Sequence, residues 1–227
     1  MHFNPKDISN QIIFLLNNKP HPCHIRDKAS RYVYMNLAMA ELLNVPKGVP
    51  IEGKRLCKIK PELARLFETL HQKEADIVQK QSAVSLLITA HFGKETRLQP
   101  YIFDIYPFFN ETGQILGTMT EARQCQFFSA LDHIQGKSPK TLTTSLPNTI
   151  LTQRELQIIF YFYHGFSKKE LGKCLHLSHR TIDNKLEGIY EKMGVHNHEE
   201  FKKYIEEREL NQFIPHHLLA SSVQLIH

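Results

Sequence analysis

The 227-residue sequence predicts an α+β fold in two parts, an N-terminal antiparallel sheet with helices and a C-terminal all-α unit of four helices. Three observations carry that expectation. Between His21 and Arg123, short runs of β-forming residues bounded by turn chemistry alternate with stretches of helical period. From Ile150 onward, capping signals and helical spacing take over. Between the two lies Gly136-Lys-Ser-Pro-Lys-Thr-Leu-Thr-Thr-Ser145, which is polar and without period. The expected divisions are residues 1–123, a helical and polar linker at 124–145, the helical unit at 146–210 and a tail at 211–227.

Ile8–Leu16 is a short apolar helix that could pair with a second copy or cover the sheet. Cys23–Arg26 and Tyr32–Met35 read as a hairpin, because Asp27-Lys-Ala-Ser30 between them has turn chemistry. Leu37–Leu43 reads as a helix turn or two that ends at Val45-Pro46. Pro61–Gln79 is a longer helix, with Leu63, Leu66, Phe67, Leu70 and Ile77 at helical spacing. Three strands follow: Ala83–His91, Tyr101–Phe109 and Ile115–Thr120, joined by turns at Gly93–Thr96 and Asn110–Gly113. A further short helix is expected over Gln124–Gln135, with Phe127, Phe128 and Leu131 as its apolar stripe.

In the C-terminal unit, Thr152-x-x-Glu155 and Ser167-x-x-Glu170 are capping boxes that open two helices, the first ending at Gly165. Ser178 caps a third helix that runs to Met193 before Gly194, and Glu199–Arg208 makes a fourth. The second and third helices, joined by the tight turn Leu175-His-Leu177, have the spacing of a helix-turn-helix. On the third helix Ile182, Leu186, Ile189 and Met193 must face the core. At about 100° per residue the outer face then presents Arg180, Asn184, Glu187 and Glu191, flanked by Asp183 and Gly188.

Charge sharpens the picture. The net charge is +5, yet residues 146–227 hold ten basic and ten acidic side chains, so the excess lies in the N-terminal part. Within the helical unit, residues 166–185 carry five basic side chains against two acidic, and residues 186–209 carry four against seven. The basic end falls on the helix-turn-helix. The four cysteines are far apart, no apolar run reaches the length of a membrane span, and no secretory signal is visible, so a reducing cytoplasm is the expected compartment.

The N-terminal order of two strands, helices and a three-strand meander resembles a PAS domain. Asp27-x-x-x-Arg31-Tyr-Val-Tyr-Met-Asn36 with Ala38 and Leu42-Leu43 is similar to that family's second strand and first helix. Phe103-Asp-Ile-Tyr-Pro107 with Gly113 and Gly117 is similar to its final two strands. In the C-terminal unit, Leu151-Thr-Gln-Arg-Glu155, Gly165-x-Ser167-x-Lys169-Glu-Leu171, Leu175-x-Leu177-Ser178-x-x-Thr181-Ile182 and Lys192-Met-Gly-Val195 resemble the LuxR-type helix-turn-helix family. Asp183 and Lys185 stand where that family commonly has a basic residue and a histidine or tyrosine, and His198 stands for its later arginine.

The resemblance implies a transcription regulator that binds double-stranded DNA as a homodimer, with RNA polymerase as a further partner it allows. The DNA-binding residues it implies are Lys168, Lys169, Lys173, His179, Arg180, Thr181, Asp183, Asn184, Lys185 and Glu187. The PAS-like part is expected to sense a small molecule or other signal, with Phe67, Leu70, Leu87, Tyr101, Phe103 and Tyr106 as the candidate pocket lining. A protein-interaction module with weak or no specific DNA binding is the alternative.

Other chemistries find less support. Gly136-Lys-Ser138 lacks the upstream glycine and strand of a phosphate loop. Gly53-Lys-Arg-Leu-Cys57 lacks the spacing and asparagine of a flavin-reactive cysteine motif, so no flavin is expected. His71 as a haem ligand is less expected than a histidine on an amphipathic helix face. His21-Pro-Cys23-His24 has no partner cluster for a metal. The absence of tryptophan disfavours an acyl-homoserine-lactone-binding domain, and residues 1–20 offer only Asp7 where a receiver domain needs paired acids. No nucleophile–base pair stands at a usable spacing, so an enzyme is not expected.

Overall fold

In the computed structural model, which describes residues 3, 7–127, 134, 140–144 and 150–226, the chain divides into two units. The first comprises residues 1–125 together with 220–227, and the second residues 126–219.

The first unit is built on a six-stranded antiparallel sheet in the order β2-β1-β5-β4-β3-β8. Its strands are β1 (Cys23–Asp27), β2 (Tyr32–Met35), β3 (Val84–Phe92), β4 (Arg97–Phe109), β5 (Ile115–Gln124) and β8 (Ser222–Ile226). Helices α1 (Asn10–Asn17), α2 (Leu37–Leu42), α3 (Leu56–Ile59) and α4 (Ala64–Lys80) complete it. The expected hairpin, helices and meander are all present. The sheet of strands with helices, followed by a helical unit, is the expected α+β fold.

Alternation along the strands decides which face each residue serves. Tyr32, Leu86, Ile88, Ala90, Phe103, Ile105 and Ala122 form one core with Met39, Leu56, Leu70 and Ile77 of the helices. Cys23, Ile25 and Val33 face the other way and pack beneath Ile8 and Leu16, so α1 covers the sheet's second face. Phe14 and Leu15 on its outer side stay exposed. Asn36 ties these layers together. Its Oδ1 accepts from the Cys23 and Met39 amides, and its Nδ2 donates to the Leu16 and His21 carbonyls. Gly117 is required for a different reason: a Cβ there would lie 1.9 Å from the Arg26 carbonyl oxygen, so only glycine lets β5 approach β1.

Two features depart from expectation. Residues 222–226, expected in a tail, form β8, which pairs antiparallel with β3 from Thr89↔Ser222 to Ser85↔Ile226. Val223 packs against the core as it does so. The helix expected from Gln124 begins instead as strand, because Gln124 ends β5 and β6 (Gln126–Phe127) pairs with β7 (Lys140–Thr141). Residues 128–133 and 135–139, with Phe128 and Leu131, lie outside the described residues.

The second unit packs α5 (Gln153–Tyr163), α6 (Lys168–Leu175), α7 (His179–Met193) and α8 (His198–Glu207) around one core. Both expected capping boxes are present, and Ser178 accepts from the Thr181 amide. Asn197 caps α8. Phe213 is buried in the same core and bridges to Thr143.

If β8 protects the edge of β3, a chain ending at Leu219 should show faster amide exchange over Val84–Phe92 by about tenfold or more. Hydrogen-exchange mass spectrometry reads this directly, and unchanged protection would deny β8 any stabilising role.

Candidate functional site

In the second unit the candidate residues lie on α6 and α7. The turn between α6 and α7 is set by a close approach: a Cβ on Gly172 would lie 2.7 Å from the Leu177 carbonyl oxygen, while the Leu177 amide donates to the Gly172 carbonyl at 2.9 Å. His176 takes the left-handed conformation that ends α6, with φ 53°. Arg154 of α5 donates from Nη2 to the Leu175 carbonyl at 2.7 Å, holding the end of α6. Lys192 pairs with Glu155 at 2.7 Å and ties the end of α7 to the start of α5. The Glu155 carboxyl stays below its ordinary value, since Lys192 and the Thr152 backbone outweigh the burial that opposes them.

Ile182, Leu186, Ile189 and Met193 are buried as the spacing requires. Lys168, Lys169, Lys173, His179, Arg180, Asn184 and Glu187 are exposed, and Thr181, Asp183 and Lys185 are half-buried. Asp183 is engaged from two sides. Lys168 Nζ lies 2.5 Å from its Oδ1, and His179 Nδ1 lies 2.9 Å from its Oδ2. The hydrogen bond from Lys168, with help from His179, holds this carboxyl below the usual range. Arg180, Asn184, Lys185 and Glu187 have no such side-chain partner among the described residues.

In the first unit a small cavity of about 20 Å³ lies between α4, α2–α3 and the sheet. Apolar side chains supply most of its wall, among them Met39, Leu56, Leu63, Leu70, Ile88 and Phe103. One pole is polar: His24 and Arg26 of β1, Glu74 of α4 and Thr120 of β5. Arg26 Nη1 donates to Glu74 Oε1 at 2.8 Å and Nη2 donates to the Tyr32 hydroxyl at 2.6 Å, with all three groups buried. Among the described residues, both ring nitrogens of His24, Arg26 Nε, Glu74 Oε2 and the Thr120 hydroxyl find no hydrogen-bond partner. Buried polar atoms without partners cost about 1–3 kcal/mol each, so such a cluster around a cavity marks a place where something polar fits. Burial, reinforced by Arg26, holds His24 well below the ordinary imidazole value.

The expected pocket is corrected in part. Leu70 and Phe103 do line the cavity, and Tyr101 packs edge-on against Phe92 of its wall. Leu87 and Tyr106 do not, because they alternate onto the opposite face, where Tyr106 borders an open groove with Ser85, Asp104 and Leu225. The Phe67 side chain lies outside the described residues. The polar pole was missed, although Glu74 falls four residues after Leu70 and three before Ile77, on the buried stripe of α4. His71 Nδ1 lies 2.7 Å from Ser30 Oγ. No helix among the described residues is long and apolar enough to cross a membrane.

Comparison with known proteins places both units. Residues 149–204 match the model of the bacterial regulatory proteins, luxR family. Over 74 residues the chain is 38% identical to the Fimbriae Z protein of Escherichia coli (strain K12), covering 33% of this chain and 35% of that protein. The match thus spans about a third of the length of the curated relatives. Among solved structures, the Vibrio cholerae VqmA–ligand–DNA complex is similar with a TM-score of 0.71, at 18% identity over 97% of each chain. The phage VqmA–DPO complex is similar with a TM-score of 0.63, at 21% identity over 96% of this chain and 95% of that one. A Vibrio cholerae VqmA dimer without target DNA has a TM-score of 0.51, at 18% identity over 96% of each chain. The two-part fold is therefore shared across nearly the whole chain.

Two predictions concern the polar pole. Glu74→Gln leaves the buried Arg26 guanidinium without its counter-charge, and the first unit should lose about 3–5 kcal/mol in urea unfolding. Because His24 titrates lower in the folded than in the unfolded chain, the unfolded chain takes up its proton first as pH falls. Stability of the first unit should therefore decline below pH ~6.5 by up to about 1.4 kcal/mol per pH unit, and His24→Phe should flatten that decline.

Proposed function

With a luxR-family domain at residues 149–204 as premise, we propose that the chain is a cytoplasmic transcription regulator, not an enzyme, that binds double-stranded DNA and answers to a small molecule held in its first unit. The observation that carries the DNA reading is the outward face of α7. Four apolar residues anchor the helix in the core, and Arg180, Asn184 and Glu187 are left exposed without side-chain partners among the described residues. Arginine matches guanine N7 and O6, asparagine matches adenine N6 and N7, and glutamate accepts from cytosine N4. Lys169 and Lys173 on α6, with Lys185 on α7, supply the cations for phosphate contacts. VqmA in its ligand–DNA complex has the same two-part fold, which supports pairing a sensor with this domain.

The ligand reading rests on the cavity and its unpartnered pole. Arg26 and Glu74 balance each other in charge, and His24 is held neutral, so the site suits an uncharged molecule with polar groups at one end. A cavity of about 20 Å³ holds roughly one water, so a larger ligand would enter by displacing the Met39 and Leu56 side chains of the short helices α2 and α3 outward. Two copies of the chain would then present two α7 helices to half-sites about one DNA turn apart, and the exposed Phe14 and Leu15 of α1 offer an apolar pairing surface. RNA polymerase is a further proposed partner.

Arg180→Ala and Asn184→Ala should each weaken binding to a duplex selected from a random pool by about 5–100-fold while sparing non-specific duplex. Equal affinity in both variants would remove α7 from the DNA interface. Native mass spectrometry of the purified chain should show one small molecule per copy, lost in a Phe103→Trp variant that fills the cavity.

A further inference from the structure

We propose that Asp183 is a positioning residue and not a base reader: its carboxylate clamps Lys168 and His179, withholding Lys168 from phosphate and leaving Arg180, Asn184 and Glu187 to read sequence. This rests on the DNA-binding reading of the second unit and specifies how its contact surface is divided.

Helical geometry gives the first argument. At 3.6 residues per turn, Arg180, Asn184 and Glu187 fall within an arc of roughly 60°, whereas Asp183 and His179 lie progressively to one side of it. Lys168, the first residue of α6, meets Asp183 on that side. Occupancy gives the second. Each carboxylate oxygen already accepts from a different donor, Oδ1 from Lys168 and Oδ2 from His179. Arg180, Asn184 and Glu187 carry no equivalent partner among the described residues. A carboxylate aimed at cytosine N4 would have to leave two cationic or polar donors to make one neutral contact. The hydrogen bond from Lys168, with His179, also holds this carboxyl below its usual range.

Charge gives the third argument. The helix-turn-helix segment 166–185 holds five basic side chains and two acidic ones, Glu170 and Asp183. Glu170 is spent within its own capping box at Ser167. Within that segment Asp183 is therefore the acidic group left to moderate the contact surface, with Glu187 lying beyond it on the reading arc, and it acts through one named lysine.

The test measures dissociation constants of the full chain for a selected duplex and an unrelated duplex across a salt series. The wild type is compared with Asp183→Asn, Lys168→Met and the double variant, with circular dichroism confirming equal helicity. Asp183→Asn should bind both duplexes about 3–10-fold tighter, keep the selected base preference, and steepen the slope of log K against log salt by about 0.9, the value of one added phosphate contact. Lys168→Met alone leaves the Asp183 carboxylate without its lysine and should weaken binding to both duplexes, and in the double variant the gain seen with Asp183→Asn should vanish.

A lost base preference at unchanged slope in Asp183→Asn would make Asp183 a base reader and overturn the proposal. A gain that persists in the double variant would assign the effect to simple charge repulsion and overturn it equally, as would unchanged binding in Asp183→Asn. Absence of salt-dependent DNA binding in every variant, wild type included, would overturn the DNA-binding reading itself and the proposal with it.

Discussion

The arrangement of the second unit depends on burying one stripe of α7. Ile182, Leu186, Ile189 and Met193 recur at three- and four-residue steps, and each one is lodged in a core shared with Leu156, Leu171, Phe201 and Ile205. That burial, about 1.5–3 kcal/mol for each large side chain, fixes the rotation of the helix about its axis. Once the rotation is fixed, Arg180, Asn184 and Glu187 have no choice of direction. The close passage of the Leu177 carbonyl over Gly172 sets where α7 begins, and the left-handed Gly194 sets where it ends. The polar chemistry of the outward face is thus a by-product of packing on the opposite face.

The first unit solves a different problem. Its sheet buries both faces of β1, so His24 and Arg26 are as enclosed as Cys23 and Ile25. Enclosing a guanidinium is unfavourable unless a counter-charge and hydrogen bonds meet it, and Glu74 and Tyr32 supply them. Among the described residues the match is incomplete, with one nitrogen and one oxygen of the ion pair left over beside two imidazole nitrogens. A ligand that completes these bonds would bring favourable energy that exists only when it is bound. Its effect would reach β3, whose Ile88 and Ala90 line the cavity and whose outer edge carries β8. The chain leaves this unit after residue 125 and rejoins it at residue 220.

What was legible in the sequence is what is local. The capping boxes at Thr152 and Ser167, the glycine stop after Met193 and the buried stripe of α7 need only neighbours within a few residues. Meander strands announced themselves through alternation and turn residues. Contacts between distant residues were hidden. Arg26 and Glu74 are 48 positions apart, and β8 pairs a five-residue segment with a strand over 130 residues earlier, too short to stand out beside Pro215 and its histidines. Residue type alone points Leu87 and Tyr106 to the pocket, whereas strict alternation with Ile88 and Ile105 sends them outward. Asp183 reads as a base contact from its position in the helix, and only the structure shows Lys168 reaching it from α6.

The central claim is that α7 enters the DNA major groove as one of a pair. Dimethyl sulfate footprinting on a duplex selected by the full chain tests it most directly, because this reagent reports guanine N7 in the major groove. The account predicts protection in two half-sites centred about 10 base pairs apart, or a multiple of that, with protection lost in Arg180→Ala. Selected duplexes that bind without any protection of major-groove N7 would contradict it.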